Sequence, residues 1–406
     1  MVAGTIPFAA PDPVAGVRVG TGIAGIKQPD RKDTVLFELS PGAMCAAVFT
    51  RNAFCAAPVV IARNHLRSHA PRYLLINSGN ANAGTGDSGF RDALRTCEFV
   101  AEATGCLVEE VMPFSTGVIG QRLPVEKFRN AIPSALASLS SHGWGDAAHA
   151  IMTTDTMPKA VSRALSLDGK RITVSGIAKG AGMIRPDMAT MLGFLGTDAA
   201  IARPVLQVML NAAVNRSFNR ITIDGDTSTN DACVMMATGR AGNAPITDIE
   251  SVSGRRVQVA IEEVCGFLAE AIVRDGEGAT KFIRIKVLGG RTREECQAVG
   301  YTIAHSPLVK TAFFASDANW GRILAAIGRA GLSDLEINRV VVDINGVRIV
   351  EHGGRADSYT EEAGSAAMQP TDITISVDLG RGDAQDVIMT CDLSFDYVRI
   401  NAEYRT

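Results

Sequence analysis

Two periods of apolar residues alternate along this 406-residue chain. Between residues 256 and 274, Ile261, Val264, Leu268 and Ile272 recur three or four apart, the stripe of an amphipathic helix. Residues 90–104 and 203–216 follow the same period and predict two further helices. Elsewhere the runs are short and rich in aliphatic and β-branched residues. Residues 73–77, 172–178, 282–288 and 373–379 predict strands of this kind. Asn345-Gly346, between apolar runs at 340–344 and 347–350, predicts a tight hairpin, because both turn positions need positive φ. Helical and strand runs are interleaved without a regular βαβ alternation, an internal repeat or a low-complexity linker. The pattern predicts an α+β protein of layered sheets and helices. A smaller C-terminal subdomain is expected from about residue 285.

Composition narrows the class. Hydrophobic residues make up 46% of the chain and aromatic residues only 5%, with 40 glycines, which suits an enzyme with many tight turns. The 40 Lys and Arg nearly balance 43 Asp and Glu, and no basic block stands out, so no nucleic-acid or anionic-membrane partner is expected. The eight cysteines are scattered, without a C-x-x-C pair, and Cys97 and Cys265 fall inside apolar helical patterns. No charged and then apolar leader opens the chain, and no run approaches membrane-spanning length. A reduced, cytoplasmic protein is expected.

Candidate chemistry centres on Thr190. Glycines and a proline in K-G-A-G-M-I-R-P-D-M-A (residues 179–189) favour a turn before it. After it, Leu192 and Phe194 alternate with Met191, Gly193 and Leu195 in a strand-like run ending at Thr197-Asp198. A hydroxyl at the first residue of a strand, after a turn, suits a threonine that becomes a new N-terminus. Cutting the Ala189–Thr190 bond would free an α-amine of pKa about 7.7–8, able to take the proton of its own hydroxyl near neutrality. By itself, a threonine after a glycine-rich turn is equally an ordinary structural residue.

Family-like stretches occur in one order along the whole chain. They are N-S-G-N-A-N-A at 77–83, S-T-G-V-I-G at 115–120, T-T-D-T at 153–156, the 179–192 segment, and T-I-D-G-D-T-S-T-N-D at 222–231. D-G-E-G-A-T-K at 275–281, N-W-G-R at 319–322 and I-N-A-E-Y-R-T at 400–406 follow. With these, the chain resembles the ornithine acetyltransferase family, the self-processing glutamate N-acetyltransferases of arginine biosynthesis. The resemblance implies the family's fold, with sheets sandwiched between helices and N-terminal-nucleophile-type processing. It implies cleavage between Ala189 and Thr190 into segments 1–189 and 190–406, which stay associated as an assembly of two copies of each.

The implied reaction moves acetyl from N2-acetyl-L-ornithine to L-glutamate through an acetyl-Thr190 ester with ping-pong kinetics, and needs no cofactor. Some relatives also accept acetyl-CoA as donor, and no residue here decides that point. Carried over motif by motif, Thr116 and Gly117 form the oxyanion site. A glycine lets a backbone N–H approach closely, and a threonine hydroxyl adds a donor. Substrate contacts fall at Thr156, Lys179, Thr190, Glu277, Asn401 and Thr406. Lys179 suits a carboxylate and Glu277 an ammonium, although as lone residues the two read equally as a surface ion pair. A transferase of a secondary pathway, or an amidase or aminopeptidase using water as acceptor, is the competing reading.

Three further features carry no such chemistry. Asp224-Gly-Asp226 opens like a calcium loop, but Thr229 and Met235 stand at the positions for its glycine and glutamate, so no metal is expected and the aspartates should fix turns near the site. His65 and His69 lack a third ligand and predict a solvated helix face. G-E-G-A-T-K at 276–281 lacks phosphate-loop spacing.

Overall fold

In a computed structural model, residues 3–4, 6–185 and 191–403 are described. Ala189, Thr190 and Thr406 lie outside them. Three sheets organise the chain. The first has four strands in the spatial order Val17–Gly22, Thr34–Leu39, Tyr73–Asn80, Val111–Val118, the last pair parallel. The second has five, ordered Met44–Phe49, Ala232–Ala237, Leu192–Thr197, Lys170–Lys179, Lys159–Leu167. Its second and third members are parallel and its other neighbours antiparallel.

These two sheets pack face to face. Phe37, Leu74, Ile76 and Phe114 of the first meet Ile177, Leu192, Phe194 and Val234 of the second in one buried core. Phe194 stacks on Phe37 at 5.5 Å between ring centres and meets Phe114 edge-on at 5.3 Å. The outer faces are covered by helices. Leu195, Val174 and Met235 pack against helices Arg203–Arg216 and Val252–Arg274. Leu36, Leu75 and Val111 pack against helices Gly86–Thr104 and Phe128–Ala137. The result is a four-layer helix–sheet–sheet–helix sandwich. Its central strand explains the alternation after residue 190: Leu192 and Phe194 face the opposing sheet, and Met191 and Leu195 face the helices.

The third sheet has six strands, from Gly354–Arg355 at one edge to Ala384–Cys391 at the other, and its own core of residues including Ile285, Val299, Ile323 and Ile375. The hairpin forms where the sequence places it, with Asn345 at φ 47° and Gly346 at φ 83°.

Element ends depart from the periodicity in a consistent way. The strand predicted to end at Asn77 runs on to Asn80, because Ser78 and Gly79 continue the ladder against Thr116 and Gly117. The helix predicted from residue 256 starts at Val252, where the Ser251 hydroxyl caps it by accepting from the Gly254 N–H at 3.0 Å. The histidine pair corrects a sequence expectation. His65 is not solvated but buried, with Nδ1 2.7 Å from the Val111 carbonyl, because its helix packs on the edge of the first sheet. The cysteines are all unpaired, and Cys97 and Cys265 are fully buried.

Candidate active site

A hydrogen-bonded lattice of small polar side chains sets the ends of the two parallel strands of the first sheet. Ser115 Oγ donates to Asn77 Oδ1 at 2.6 Å, and Asn77 Nδ2 donates to the Asn80 carbonyl at 2.9 Å. Asn230, arriving from the second sheet, donates to the Ala81 carbonyl at 2.6 Å and the Ser115 carbonyl at 2.9 Å. Thr116 and Gly117 are held by this frame at the end of strand Val111–Val118, opposite Ser78 and Gly79. Gly117 has φ 135°, and a Cβ there would lie 2.3 Å from the Gly79 carbonyl carbon. Only glycine fits, and its backbone is correspondingly accessible from the other side.

A second framework is ionic and closed. Lys159 Nζ lies 2.6 Å from both Asp155 and Asp275, and all three side chains are inaccessible to solvent. Burial alone would favour the neutral acid, but Lys159 and Lys179 hold Asp155 ionised, well below the usual carboxylate range. Burial likewise works against a charged Lys159, and the two carboxylates outweigh it and raise its pKa. Each member also fixes backbone. Asp155 accepts from the Gly180 N–H at 2.7 Å and the Thr153 N–H at 3.0 Å, and Asp275 accepts from the backbone and hydroxyl of Thr156. The trio therefore ties the 153–156 loop, the turn after Lys179 and the segment leading to Glu277 to one another.

Between these frameworks lies a cavity of 270 Å³. It brings together Thr116, Gly117, Lys179, Glu277 and Asn401 of the sequence-derived residues. Lys179 closes its strand directly opposite Leu192, so the strand that begins two residues after Thr190 starts at the cavity wall. Lys179 and Glu277 are both buried and share the cavity without forming an ion pair, in contrast to a surface pair. Glu277 Oε2 instead accepts from Asn401 Nδ2 at 2.8 Å, and Gly182 lies so close to its carboxylate that a Cβ would come within 2.5 Å. Thr156 is adjacent but engaged with Asp275, and Thr153 and Thr154 line the cavity in its place.

Motif reading left several positioning residues without a role. Asn77, Asn80 and Asn230 stand in the family-like stretches and fix the strand ends around Thr116 and Gly117. Asp224 fixes the turn at Met183-Ile184, accepting from their N–H groups at 2.6 and 3.0 Å. Asp231 was legible only as part of a motif. It is buried at the head of strand Ala232–Ala237, Oδ2 has no hydrogen-bond partner, and burial pushes its carboxyl well above the usual range. The Lys159 trio carries no local signature, because Asp275 is distant in sequence from Asp155 and Lys159. No group of three or more His, Cys, Asp or Glu able to hold a metal occurs among the described residues. Nor is any helix among them long and apolar enough to cross a membrane.

The structure thus defines a four-layer α+β sandwich protein with a buried lysine and a buried glutamate in one cavity at the strand ends. Within that class, the chain belongs to the ArgJ family, whose family model matches residues 18–406. It is 60% identical over 394 residues to the arginine biosynthesis bifunctional protein ArgJ of Methylococcus capsulatus, covering 97% of this chain and 96% of that one. The protein of the same name from Pseudomonas syringae pv. tomato is 54% identical over 406 residues, the full length of both chains. The crystal structure of the arginine biosynthesis bifunctional protein argJ from Bacillus halodurans matches with a TM-score of 0.50 at 42% identity, covering 52% of this chain and 99% of that chain.

Proposed function

We propose that the chain cuts itself between Ala189 and Thr190 and then moves acetyl from N2-acetyl-L-ornithine to L-glutamate through an ester on Thr190. The observation that carries this reading is the cavity in which the Thr116–Gly117 edge meets Lys179 and Glu277, with the strand following Thr190 starting at its wall. Ornithine and glutamate share an α-amino acid core. A lysine suited to the carboxylate and a glutamate suited to an ammonium can therefore hold either in turn. The Thr190 hydroxyl attacks the acetyl carbonyl and its α-amine takes the proton, while Lys179 disfavours protonation of that amine beforehand. The oxyanion is received by the Gly117 N–H and the Thr116 hydroxyl. Ornithine leaves with the proton, and the glutamate amine then attacks the ester. Acetyl-CoA serves as a second donor to the same hydroxyl in this reading, consistent with the word bifunctional in the relatives' names.

The sheet accounts for fragments that stay together after the cut. Strand Lys170–Lys179 precedes the cleavage point and Leu192–Thr197 follows it, yet they pair over six positions. Met44–Phe49 pairs in the same way with Ala232–Ala237. Segments 1–189 and 190–406 are therefore one folded unit, and we assign the working enzyme as two copies of each, in the cytoplasm. Contacts from Thr156 and Thr406 complete the substrate site.

The test is covalent. Purified protein should run as two fragments, the larger beginning Thr-Met-Leu-Gly, and Thr190→Ala should remain a single inactive chain. Rapid mixing with acetylornithine alone should leave the larger fragment heavier by one acetyl group, and initial-rate plots should be parallel. Intersecting plots without a mass shift would replace the ester by direct transfer. Rapid release of acetate without glutamate would make the protein an amidase.

A further inference from the structure

A second cavity, of 170 Å³, abuts the substrate cavity and shares Gly117, Val118, Thr153 and Thr154 with it. Gly117, whose N–H is assigned to the oxyanion, therefore lines both chambers, and an acyl carbonyl at that N–H can be delivered from either. The two chambers differ in the chemistry they offer. The substrate cavity holds a buried cation and a buried anion, suited to an amino acid. The second combines apolar Val118, Met152 and Ile400 with a charged side formed by Lys27, Arg31 and Asp33. Arg31 Nη2 donates to the Met152 carbonyl at 2.6 Å, and no carboxylate pairs with the guanidinium among the described residues. The neighbouring Asp33 carboxylate is occupied by the Ala24 and Ile26 N–H groups, at 2.7 and 2.6 Å. A half-buried guanidinium without a counter-ion, beside an apolar passage to the oxyanion edge, fits a ligand with an uncharged arm and an anionic far end.

We propose that this second chamber is the entrance for the thioester donor, with Arg31 contacting the phosphates of coenzyme A and the apolar walls holding the pantetheine arm. The proposal rests on the acetyl-Thr190 reading. In the loading step, the Thr190 hydroxyl forms the new C–O bond to the acetyl carbon as the C–S bond breaks. The hydroxyl proton passes to the α-amine and from there to the departing thiolate, so coenzyme A leaves as the free thiol. Acetylornithine loads the same hydroxyl from the substrate cavity and has no use for Arg31.

Glutamate acetylation should be measured with three donors: acetylornithine, acetyl-CoA and acetyl-pantetheine, which lacks the phosphates. Arg31→Gln should raise the KM for acetyl-CoA about ten-fold or more, the usual worth of a hydrogen bond to a charged group. It should leave acetylornithine and acetyl-pantetheine turnover within about two-fold, and Arg31→Lys should restore most of the loss. In the wild-type protein, added salt should raise the KM for acetyl-CoA and not that for acetyl-pantetheine, a measurement independent of any variant's folding. Equal losses with all three donors would make Arg31 a wall residue and overturn the assignment, as would a salt-insensitive KM for acetyl-CoA. A wild-type protein active with acetylornithine but inert with acetyl-CoA would also overturn it and leave the acetylornithine reaction standing. Failure of both donors to acetylate Thr190 would strike the underlying reading instead.

Discussion

The site region contains two lysine–carboxylate constellations built from the same residue types and arranged to opposite ends. Lys159 lies 2.6 Å from Asp155 and Asp275, with no solvent access to any of the three. Lys179 and Glu277 are also buried, yet they share an open cavity and stay apart. In the first, one lysine is shared by two carboxylates within the protein, and the remaining acceptor capacity is spent on backbone N–H groups and the Thr156 hydroxyl. In the second, charges already stripped of much of their water keep capacity for a ligand. The closed trio supplies the geometry that the open pair needs, since Asp155 also holds the Gly180 N–H next to Lys179, and Asp275 stands two residues from Glu277.

The largest effect should come from breaking the closed set. Lys159→Met leaves two buried carboxylates facing each other without a cation. Removing one partner of a buried pair typically costs about 3–5 kcal/mol. Thermal unfolding should show a large loss of stability, or the variant should fail to accumulate as folded protein. A variant with wild-type stability would mean that the trio contributes little.

On the open side the effects should appear in turnover rather than in folding. Thr116→Ala should lower kcat by about 10²–10³, the common cost of one oxyanion donor, with little change in melting temperature. Equal kcat values would remove the hydroxyl from the oxyanion site. Lys179→Met removes a charge that forms no ion pair among the described residues and supports Asp155 only as a second, more distant cation beside Lys159, so its stability cost should be well below that of Lys159→Met. Its loss should instead raise the KM for acetylornithine and glutamate together, by about 10- to 100-fold for one charge-assisted contact. A strongly destabilised Lys179→Met protein would erase the distinction between the two constellations.

The contrast also marks how far the sequence could be read. The α+β class, the hairpin at Asn345-Gly346, the helix at 203–216 and all but the first turn of the helix at 252–274 follow from local periodicity and turn chemistry, which act within a dozen residues. The strand end carrying Thr116 and Gly117, which lines the cavity, was visible because Ser115 to Gly120 is a contiguous motif. The Lys159 trio was not, because Asp275 meets Asp155 across more than a hundred residues and only the folded chain brings them together. The prediction that His65 faces solvent failed for the same reason. Helical spacing says which residues share a face, but not whether that face meets a sheet. Thr190, the centre of the sequence reading, lies outside the described residues, but the strand expected after it is present. Its neighbour Met191 pairs its carbonyl with the Ala232 N–H at 3.0 Å, at the start of the strand the alternation predicts.

The smallest expected effect tests the boundary between the site and the six-stranded sheet. His305 Nε2 lies 3.0 Å from Thr222 Oγ1, and that hydroxyl donates to the Ile184 carbonyl at 2.9 Å, just before the segment where the cut is proposed. Burial, with Arg185, Lys310 and Arg329 nearby, lowers the pKa of His305 to about 4, so the folded protein holds it neutral. An unfolded histidine titrates at about 6.5. Between these values the unfolded chain binds the extra proton, so acid favours unfolding. The stabilisation is full above about pH 6.5 and declines as pH falls towards about 4. Melting temperature measured from pH 7 to pH 4 should fall less steeply in His305→Gln, which keeps a hydrogen-bonding side chain and cannot take the proton. Asp155 is held ionised below this window, and groups common to both proteins cancel in the comparison, so the difference between the two slopes isolates His305. Superimposable slopes would show that the His305–Thr222 contact does not couple the outer sheet to the segment before the cut.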